Sequence, residues 1–435
     1  DIHPTAIIKG YNLAAEQARE EVDNVAIDVD PDDEDLIRSV AETSMTGKGA
    51  ELDKELLSGI IYEAINQVAV EAEDGSTVVD AANINVETQT GRSVGDSELL
   101  VGGAIDKDPV HDQMPSEVED ARILLLNEAI EVEEAEADTS VSIDSPDQLQ
   151  SFLDQEEEQL KQKVQQIVDT GANVVFCQKG IDDMAQHYLA KEGILAVRRT
   201  KKSDIEFLTN VLNTTVVTDL DSASEADVAS GSVTRDAEDE LFYVEGHDEA
   251  AHGVTILLRA STDHVVDELE RGVTDALDVS AQTLSDGRVL PGGGAIEVEV
   301  ADRLRDFADS VSGREQLAVE AFADSLELVP RVLAENAGLD SIDTLVDLRS
   351  AHESGDQRTG LNVLSGDLED TFEAGVVEPA HAKEQAVTSA SEAANLVLKI
   401  DDIISAGDLS TDKGDDEGGA GGMGGGMGGG MGGMM

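Results

Sequence analysis

The spacing of apolar residues predicts helices at the beginning of the chain. Asp1-Ile2-His3-Pro4 places a capping residue ahead of a proline, which is typical of a first helical turn. The apolar positions that follow recur every three or four residues and are Ile7, Ile8, Tyr11, Ala14, Ala15 and Ala18. Residues 33–72 predict two more amphipathic helices, separated by the glycine-containing segment Thr46–Ala50.

From about residue 76 the pattern changes to short apolar runs divided by glycine, proline and aspartate. Strands are predicted at Ser76–Val79, Leu99–Ile105, Arg122–Leu126 and Val141–Ile143. Ser145-Pro146 then begins a long amphipathic helix that stops at Gly171. Strands and helices alternate beyond it, with strands at Asn173–Cys177, Ile194–Arg198 and Thr215–Thr218 and helices at Ile181–Lys191 and Asp204–Leu212. This alternation is typical of an α/β domain.

The last large region is again helical. After a polar stretch at Asp221–Glu240, two strands at Leu241–Val244 and Val254–Leu258 lead into a helix at Asp263–Leu284. Beyond Pro291, helical spacing continues to about Ala406. The order helical, mixed, helical predicts a mixed domain inserted into a helical one, whose two halves meet in space. Residues 407–435 are glycine repeats with methionines and are expected to be disordered.

Acidic residues dominate the charge along the whole chain. Asp and Glu total 94 against 29 Lys and Arg, a formal net charge of −65. Repulsion on this scale destabilises a compact state unless counterions screen it, and at ~1 M salt the screening length falls to roughly 3 Å. The composition therefore predicts a protein that is folded and active in a cytosol of very high salt concentration. Because such a surface repels phosphate backbones, nucleic acid is not an expected partner.

Cysteine use and hydropathy favour a cytoplasmic protein. Cys177 is the single cysteine of the 435 residues and cannot form an intramolecular disulfide. It ends a predicted strand, so a buried structural thiol is favoured over a nucleophile. No apolar run approaches the ~20 residues of a membrane span, and no signal peptide is visible. His247 and His252 lack ligand-spaced partners and indicate a surface loop rather than a metal site.

Two glycine-containing segments are candidates for ligand contact. Gly292, Gly293 and Gly294 precede a helical run, where glycine lets a backbone approach a ligand and a helix N-terminus favours anions. Lys48, between two glycines, could reach a phosphate, yet its surroundings match neither a Walker A loop nor a dinucleotide fingerprint. Taken alone, both segments are better explained as ordinary turns. Asp275 falls opposite the apolar stripe of its helix, so periodicity predicts only a solvent-exposed acid.

The front of the long helix is a candidate contact surface. Leu149, Phe152 and Leu153 share one helical face, and the following turn, Asp154–Gln159, is wholly polar. Core packing explains this pattern, whereas an exposed apolar patch at a protruding helix end would mark a contact site.

Several longer strings carry a family resemblance. Gly171–Asp183 reads GANVVFCQKGIDD and is followed by His187–Ala190 and Ile194–Arg199. These strings resemble the apical domain of the archaeal-type (group II) chaperonins, the thermosomes. Further similar strings are Val254–Arg259, Arg314–Ala318, Ala334–Ala337, Gly375–Pro379 and the Gly/Met tail. The similarity is collinear from residue 1 to the tail.

The resemblance implies a multidomain α+β fold. It implies a split all-α equatorial ATP-binding domain at residues 1–31 and 292–406 and a small α/β intermediate hinge domain at 32–102 and 258–291. An α/β apical domain with a helical protrusion would be inserted at 103–257. Subunits of this family stack as two rings, and ATP and Mg²⁺ drive a built-in lid over an unfolded protein client.

Roles for individual residues follow from the same resemblance. Asp275 matches the aspartate that orients the attacking water, and Lys48 the lysine that senses the terminal phosphate. The remaining matches are Gly292, Gly293 and Gly294 in the loop against the nucleotide, Gly360 near the adenine, Glu378 at the ribose, and Leu149, Phe152 and Leu153 on the lid.

One part of the family pattern is missing. A Gly-rich phosphate loop and a Gly-Asp-Gly-Thr-Thr motif, which hold phosphates and magnesium, lie upstream of the family segment at which this sequence begins. We therefore expect a longer gene product, no metal ligand within these 435 residues, and poor ATPase activity and ring formation by this chain alone.

The predicted function is an ATP-driven folding chamber, and the alternative is an ATP-independent holdase-like module. A small-molecule α/β enzyme would need convergent polar groups, and the sequence shows no such constellation.

Overall fold

The computed structural model describes residues 2–47, 53–72, 77–132, 146–248 and 252–410. Its helices are α1 (Pro4–Val25), α2 (Glu34–Met45), α3 (Lys54–Val68), α4 (Pro146–Thr170), α5 (Asp183–Lys191), α6 (Lys202–Leu212), α7 (Asp263–Asp286), α8 (Ala295–Ala308), α9 (Arg314–Leu326), α10 (Leu328–Asn336), α11 (Ser341–Glu353) and α12 (Ala380–Ser410). Its strands are β1 (Ile27–Asp28), β2 (Ala69–Glu71), β3 (Thr77–Val79), β4 (Ile84–Thr90), β5 (Glu98–Val101), β6 (Gly103–Ile105), β7 (Glu117–Leu126), β8 (Val174–Cys177), β9 (Leu195–Val197), β10 (Ala229–Arg235), β11 (Phe242–Gly246), β12 (Val254–Ala260), β13 (Arg288–Pro291), β14 (Thr359–Leu361), β15 (Leu368–Asp370) and β16 (Val377–Pro379). Within these ranges no helix is both long and apolar enough to span a bilayer.

Helices from the two ends of the chain share one core. His3 caps α1 by accepting a hydrogen bond from the backbone N–H of Thr5, and Pro4 begins the helix, as predicted. α1 packs on α8, α9 and α12. The approach is close, since a Cβ on Gly10 would lie 2.5 Å from the Cβ of Ala318. The antiparallel sheet β1-β13-β16 adds a second link, so the two ends of the chain meet in space.

A second core joins α2, α3 and α7 to the sheet β4-β12-β5. β12 runs parallel to β4 and antiparallel to β5, and its Ile256 pairs with Val86 on one side and Leu99 on the other. All seven residues of β12 are buried. A strand covered on both faces reads as one apolar run, which is why the sequence pattern detects it.

The third core surrounds a six-stranded mixed sheet of order β6-β11-β10-β7-β8-β9. β7, β8 and β9 are parallel, whereas β7, β10, β11 and β6 pair antiparallel. Phe176 of β8 meets Phe242 of β11 edge to face, with ring centroids 6.3 Å apart. Helices α4, α5 and α6 supply further side chains to this core. The residue limits of the equatorial, intermediate and apical domains stay a prediction.

Arg259, in β12, joins the second core to the third. Its guanidinium is 3% exposed and bonds to Asp239 at 2.8 Å and to Glu98 at 2.7 Å. The Tyr243 hydroxyl donates to the same Asp239 carboxylate at 2.7 Å. Although burial alone would raise it, the Tyr243 hydroxyl and the Arg259 guanidinium hold the pKa of Asp239 below its ordinary value. The β10–β11 turn is thereby tied to the sheet β4-β12-β5.

Most predicted elements form, but several predictions are wrong. The Thr215–Thr218 strand is reduced to a single bridge between Val217 and Leu126. The polar stretch Asp221–Glu240 contains β10, and the region after Pro291 contains the short strands β14, β15 and β16. β4 was not predicted either. The strand predicted at Val141–Ile143 lies outside the described residues.

Candidate nucleotide site

The loop Gly292–Gly294 is bonded to segments on both of its sides. The Gly292 N–H donates to the Val376 carbonyl at 2.8 Å, and the Gly292 carbonyl accepts from the Thr371 hydroxyl at 3.0 Å. The Gly293 carbonyl accepts from the Leu361 N–H at 2.8 Å. The loop therefore connects β14 to the segment that leads into β16, and α8 begins directly after it.

Glycine is required here by contact between backbones. Gly293 has φ 65°, and a Cβ on it would lie 2.5 Å from the Leu361 carbonyl oxygen. A Cβ on Gly360 would lie equally close to the Gly292 carbonyl oxygen. Because no side chain fits between the loop and β14, the segment is a close-packed junction rather than an ordinary flexible turn.

A cavity of about 300 Å³ opens beside this junction. Gly293, Leu361 and Glu378 line it from one side. Residues of the helical pair α2 and α3 line the other side, and these are Glu42, Thr43, Thr46 and Lys54. The Thr43 hydroxyl lies 3.3 Å from both the Gly375 carbonyl oxygen and the Val377 nitrogen, so α2 is joined to β16 at the cavity edge. The cavity therefore lies between the first and second cores.

Glu378 is held by a partly buried cation. The Lys383 ammonium lies 2.7 Å from one Glu378 oxygen and also pairs with Glu297, which is 3% exposed. Burial alone would lower the pKa of Lys383, but the carboxylates of Glu297 and Glu378 raise it, so the side chain stays charged. Burial raises the pKa of Glu297 although Lys383 opposes that shift. Lys383 thus orients Glu378 at the cavity wall.

The lining of the cavity suits a nucleoside. Its volume is at the lower end of the ~300–1,000 Å³ of small-molecule sites. Leu333, Leu361 and Val376 offer apolar surface for a base, and the Glu378 carboxylate accepts hydrogen bonds of the kind that ribose hydroxyls donate. Lys54, the first residue of α3, brings a positive charge to the same cavity, and the described residues form no ion pair with it. The residues present therefore fit a ribonucleotide.

Of the other residues predicted to bind or act on the nucleotide, those that the structure describes do not line the cavity. Gly292 and Gly294 support the loop, and a Cβ on Gly294 would lie 2.7 Å from Pro330. Gly360 supports the cavity through its contact with the loop. Asp275 is exposed on α7, as periodicity predicts, and α7 packs against α2 and touches β13 and β16, but the cavity lining does not include Asp275. Lys48 lies outside the described residues.

At the front of α4, apolar side chains face solvent. Phe152 is 42% exposed and Leu153 is 48% exposed, whereas Leu160 further along the helix is buried. Core packing therefore does not explain these two residues. Leu149 lies in the first turn of α4, and its side chain is outside the described part of the chain. A contact role for this patch stays a prediction.

Two other sequence interpretations agree with the structure. Cys177 is buried, its thiol donates to the Glu128 carbonyl at 3.2 Å, and burial raises the pKa of the thiol to about 12. His247 and His252 are both exposed. Among the described residues, no group of three or more His, Cys, Asp or Glu side chains could hold a metal ion.

Sequence reasoning did not find four residues of this region. Glu42, Lys54, Lys383 and His352 all lie on helices in positions that helical periodicity assigns to ordinary polar faces. The structure shows that Glu42 and Lys54 line the cavity, whereas Lys383 and His352 bond to residues of α8 beside it. The spacing of Lys383 five residues after Glu378 carried no usable signal.

Comparisons with known proteins match this chain to a single family. Residues 1–408 match the model of the TCP-1/cpn60 chaperonin family. Thermosome subunit beta of Halobacterium salinarum is 88% identical over 416 residues, which cover 95% of this chain and 75% of that protein. Thermosome subunit 2 of Haloferax volcanii is 73% identical over 411 residues, which cover 94% of this chain and 74% of that protein.

The fold gives the same result. The open-state monomer of a group II chaperonin from Methanococcoides burtonii matches with a TM-score of 0.71 at 42% identity, covering 92% of this chain and 93% of that one. The expected multidomain α+β fold is therefore confirmed. The chain belongs to the TCP-1/cpn60 chaperonin family, and it is an ATP-dependent, ATP-hydrolysing chaperone of the group II type with thermosome relatives in halophiles.

Proposed function

We propose that the cavity beside the Gly292–Gly294 loop is the nucleotide site of this chaperone. Glu378 would accept the ribose hydroxyls, and the Gly360 backbone would border the adenine. Lys48 would contact the terminal phosphate, and Lys54 supplies a positive charge to the cavity. Bound ATP with Mg²⁺ supplies the cleavable phosphoanhydride bond. The observation that carries this proposal is the convergence of Gly293, Leu361 and Glu378 on one cavity.

Asp275 would complete the site from α7. Phosphoryl transfer to water needs a group that positions the water and accepts its proton, and an exposed carboxylate can do both. α7 packs on α2, the helix that contributes Glu42, Thr43 and Thr46 to the cavity. A shift of α7 toward the cavity would therefore bring the Asp275 carboxylate to the phosphate side. Hydrolysis would depend on this approach, whereas nucleotide binding would not.

Helix α7 also connects the cavity region to the six-stranded sheet of the third core. α7 lies between β12 and β13 in the chain, and β13 runs directly into the glycine loop. Before α7 in the chain, β12 carries Arg259, whose guanidinium forms an ion pair with Asp239 of the β10–β11 turn. Movement of α7 would thus be transmitted to the six-stranded sheet and to α4. We propose that this movement closes a lid over an unfolded client.

The remaining parts of the proposal concern assembly and location. Homologous subunits would stack as two rings in the cytoplasm, with unfolded proteins as clients. The ATP-independent alternative gains no support from the comparisons with chaperonins. Nucleic acid and membranes are not proposed as partners.

Substitution of Asp275→Asn in the assembled chaperonin tests the proposal. The amide cannot accept the proton of water, so ATP turnover should fall by about 10²–10⁴-fold while the Kd for ATP changes less than about threefold. Steady-state phosphate release and calorimetry measure the two quantities. The control is Asp267→Asn, an exposed acid eight residues earlier on α7, about 12 Å away along the helix. Normal turnover by the Asp275 variant would remove this residue from the mechanism.

A further inference from the structure

His352 bridges α8 and β14 beside the nucleotide cavity. It lies in the last turn of α11, and its side chain is 1% exposed. Its Nδ1 is 2.8 Å from an oxygen of Glu299 in α8, and its Nε2 is 2.8 Å from the carbonyl oxygen of Thr359, the first residue of β14. Both contacts have good hydrogen-bond length.

The chemistry of these partners determines which hydrogen bonds the two ring nitrogens of His352 can make. A backbone carbonyl can only accept, so Nε2 donates to Thr359. The second Glu299 oxygen accepts from the Arg303 Nε at 2.8 Å, which favours the carboxylate form. Burial alone would raise the pKa of Glu299, but the His352 ring and the Arg303 guanidinium hold it below its ordinary value. Each ring nitrogen of His352 therefore faces an acceptor oxygen at hydrogen-bond distance.

Together these hydrogen bonds link α8, α11, β14 and the Gly292–Gly294 loop at the cavity wall. Glu299 belongs to α8, which begins directly after the Gly292–Gly294 loop. His352 joins Glu299 to Thr359, and two residues later the Leu361 N–H donates to the Gly293 carbonyl at 2.8 Å. β14 is thus held at one end by His352 and at the other by the loop. Gly293 and Leu361, the residues that meet at the second contact, both line the cavity.

We propose that His352 is a positioning residue for the nucleotide cavity, which it preforms by holding β14 against the Gly292–Gly294 loop. The proposal rests on the assignment of that cavity as the nucleotide site. His352 does not itself line the cavity, so it acts through Thr359 and Leu361. Release of the Thr359 carbonyl would let β14 move away from Gly293 and would leave the base-binding side unformed.

A pair of substitutions separates this role from simple core packing. In His352→Gln the side-chain amide nitrogen lies near the former Nε2 and can still donate to Thr359. In His352→Asn it lies near the former Nδ1 and can still donate to Glu299. Each variant is uncharged and keeps one of the two hydrogen bonds, so core packing alone predicts similar losses of stability in the two. Only the Asn variant releases β14.

The readouts are amide hydrogen exchange in the nucleotide-free assembled protein and ATP affinity by calorimetry. In the Asn variant, exchange of the Leu361 amide should become about tenfold faster than in the Gln variant, and the Kd for ATP should rise about tenfold, the factor that corresponds to about 1.4 kcal/mol. The Gln variant should stay within about threefold of the wild type. Equal exchange and equal Kd values in the two variants would overturn the proposal.

A measurement on the wild-type protein covers the case in which a variant does not fold. The segment 359–361 should already be protected from exchange before ATP is added. Rapid exchange there, with protection appearing only when ATP binds, would also overturn the proposal. If Glu378→Gln left ATP affinity unchanged while the Leu361 amide still separated the Asn and Gln variants, the cavity assignment would fail and the positioning of β14 by His352 would stand.

Discussion

At the scale of single residues, two glycines with left-handed backbones show how different the demands on one residue type are. Gly293 and Gly287 have φ values of 65° and 72°. A Cβ on Gly287 would meet nothing within 4 Å, whereas a Cβ on Gly293 would lie 2.5 Å from the Leu361 carbonyl oxygen. Position 287 therefore needs only the conformational freedom of glycine at the end of α7. Position 293 needs its small size as well.

Alanine substitutions at these positions should separate the two demands. Gly287→Ala should lower the free energy of unfolding by about 1–2 kcal/mol, the strain of a left-handed residue. Gly293→Ala adds a steric conflict and should lower it by about 3 kcal/mol or more. It should also raise the Kd for ATP at least about tenfold, because Leu361 must move. Denaturant unfolding and calorimetry measure both effects; equal behaviour of the two variants would contradict the close-contact argument.

The predicted site residues also show where sequence reasoning stops. The resemblance supplied Gly293 and Glu378, which meet at one cavity. Residue patterns alone assigned the glycine loop to an ordinary turn, because a short contact between two backbones leaves no trace in apolar spacing. His352 and Lys383 hold the cavity through hydrogen bonds and ion pairs between residues 53 and 86 positions apart in the chain. Such long-range polar pairing cannot be read from periodicity.

At the scale of elements, β10 explains why a central strand was missed. Its sequence ASGSVTR reads as a polar stretch, yet it lies between β7 and β11 with alternate residues buried. The buried positions carry small side chains, and at Gly231 a Cβ would overlap the Glu245 carbonyl and approach the Ile123 side chain to 3.2 Å. The register also shifts between Gly231 and Val233. Close packing and a bulge thus replaced the large apolar side chains on which strand prediction depends.

Longer elements were predicted well because their patterns are repeated. The helix expected to begin at Ser145-Pro146 and end at Gly171 corresponds to α4, and β12 contains the whole predicted run Val254–Leu258. Three-residue strands such as β14 offer too few positions to establish a period of two. The junction at the cavity consists of such short strands, and for that reason its architecture required the structure.

The exposed front of α4 leads to a prediction about clients. Phe152→Ser combined with Leu153→Ser removes apolar surface that is already in solvent, so stability should change by less than about 0.5 kcal/mol for each. Capture of a chemically unfolded protein should weaken about fivefold or more, measured by suppression of aggregation without ATP. The control is Val101→Ser, a substitution at a 63% exposed apolar residue of β5. Equal loss of capture in the control would show that no special role belongs to α4.

At the scale of the whole molecule, several basic residues bond acids from different elements. Arg288 pairs with Asp23, Asp286 and Glu384, and so joins α1, α7 and α12. Glu327 is 4% exposed and lies between two cations, Arg305 and Arg349. The excess of acids over basic residues gives the formal net charge of −65.

This distribution predicts how stability depends on salt. With 94 acidic and 29 basic residues, folding brings many carboxylates together, and their repulsion opposes the compact state. Raising KCl from 0.1 to 2 M shortens the screening length from about 10 Å to less than about 3 Å. The melting temperature should therefore rise by about 10 °C or more, since about 1 kcal/mol corresponds to a few degrees in domains of this size. Differential scanning calorimetry at constant pH measures the shift.

Sucrose at matched osmolality is the control, because it favours compact states by exclusion from the protein surface without screening charge. A charge-based effect requires KCl to stabilise the protein far more than sucrose does, and requires MgCl₂ to act at lower concentration because ionic strength grows with the square of ion charge. An unchanged melting temperature in KCl, or an equal rise in sucrose, would contradict the prediction. The ion pairs of Glu327 and Arg288 are partly buried and are screened less than surface charges. High salt should accordingly relieve the repulsion at the surface while leaving the contacts between helices in place.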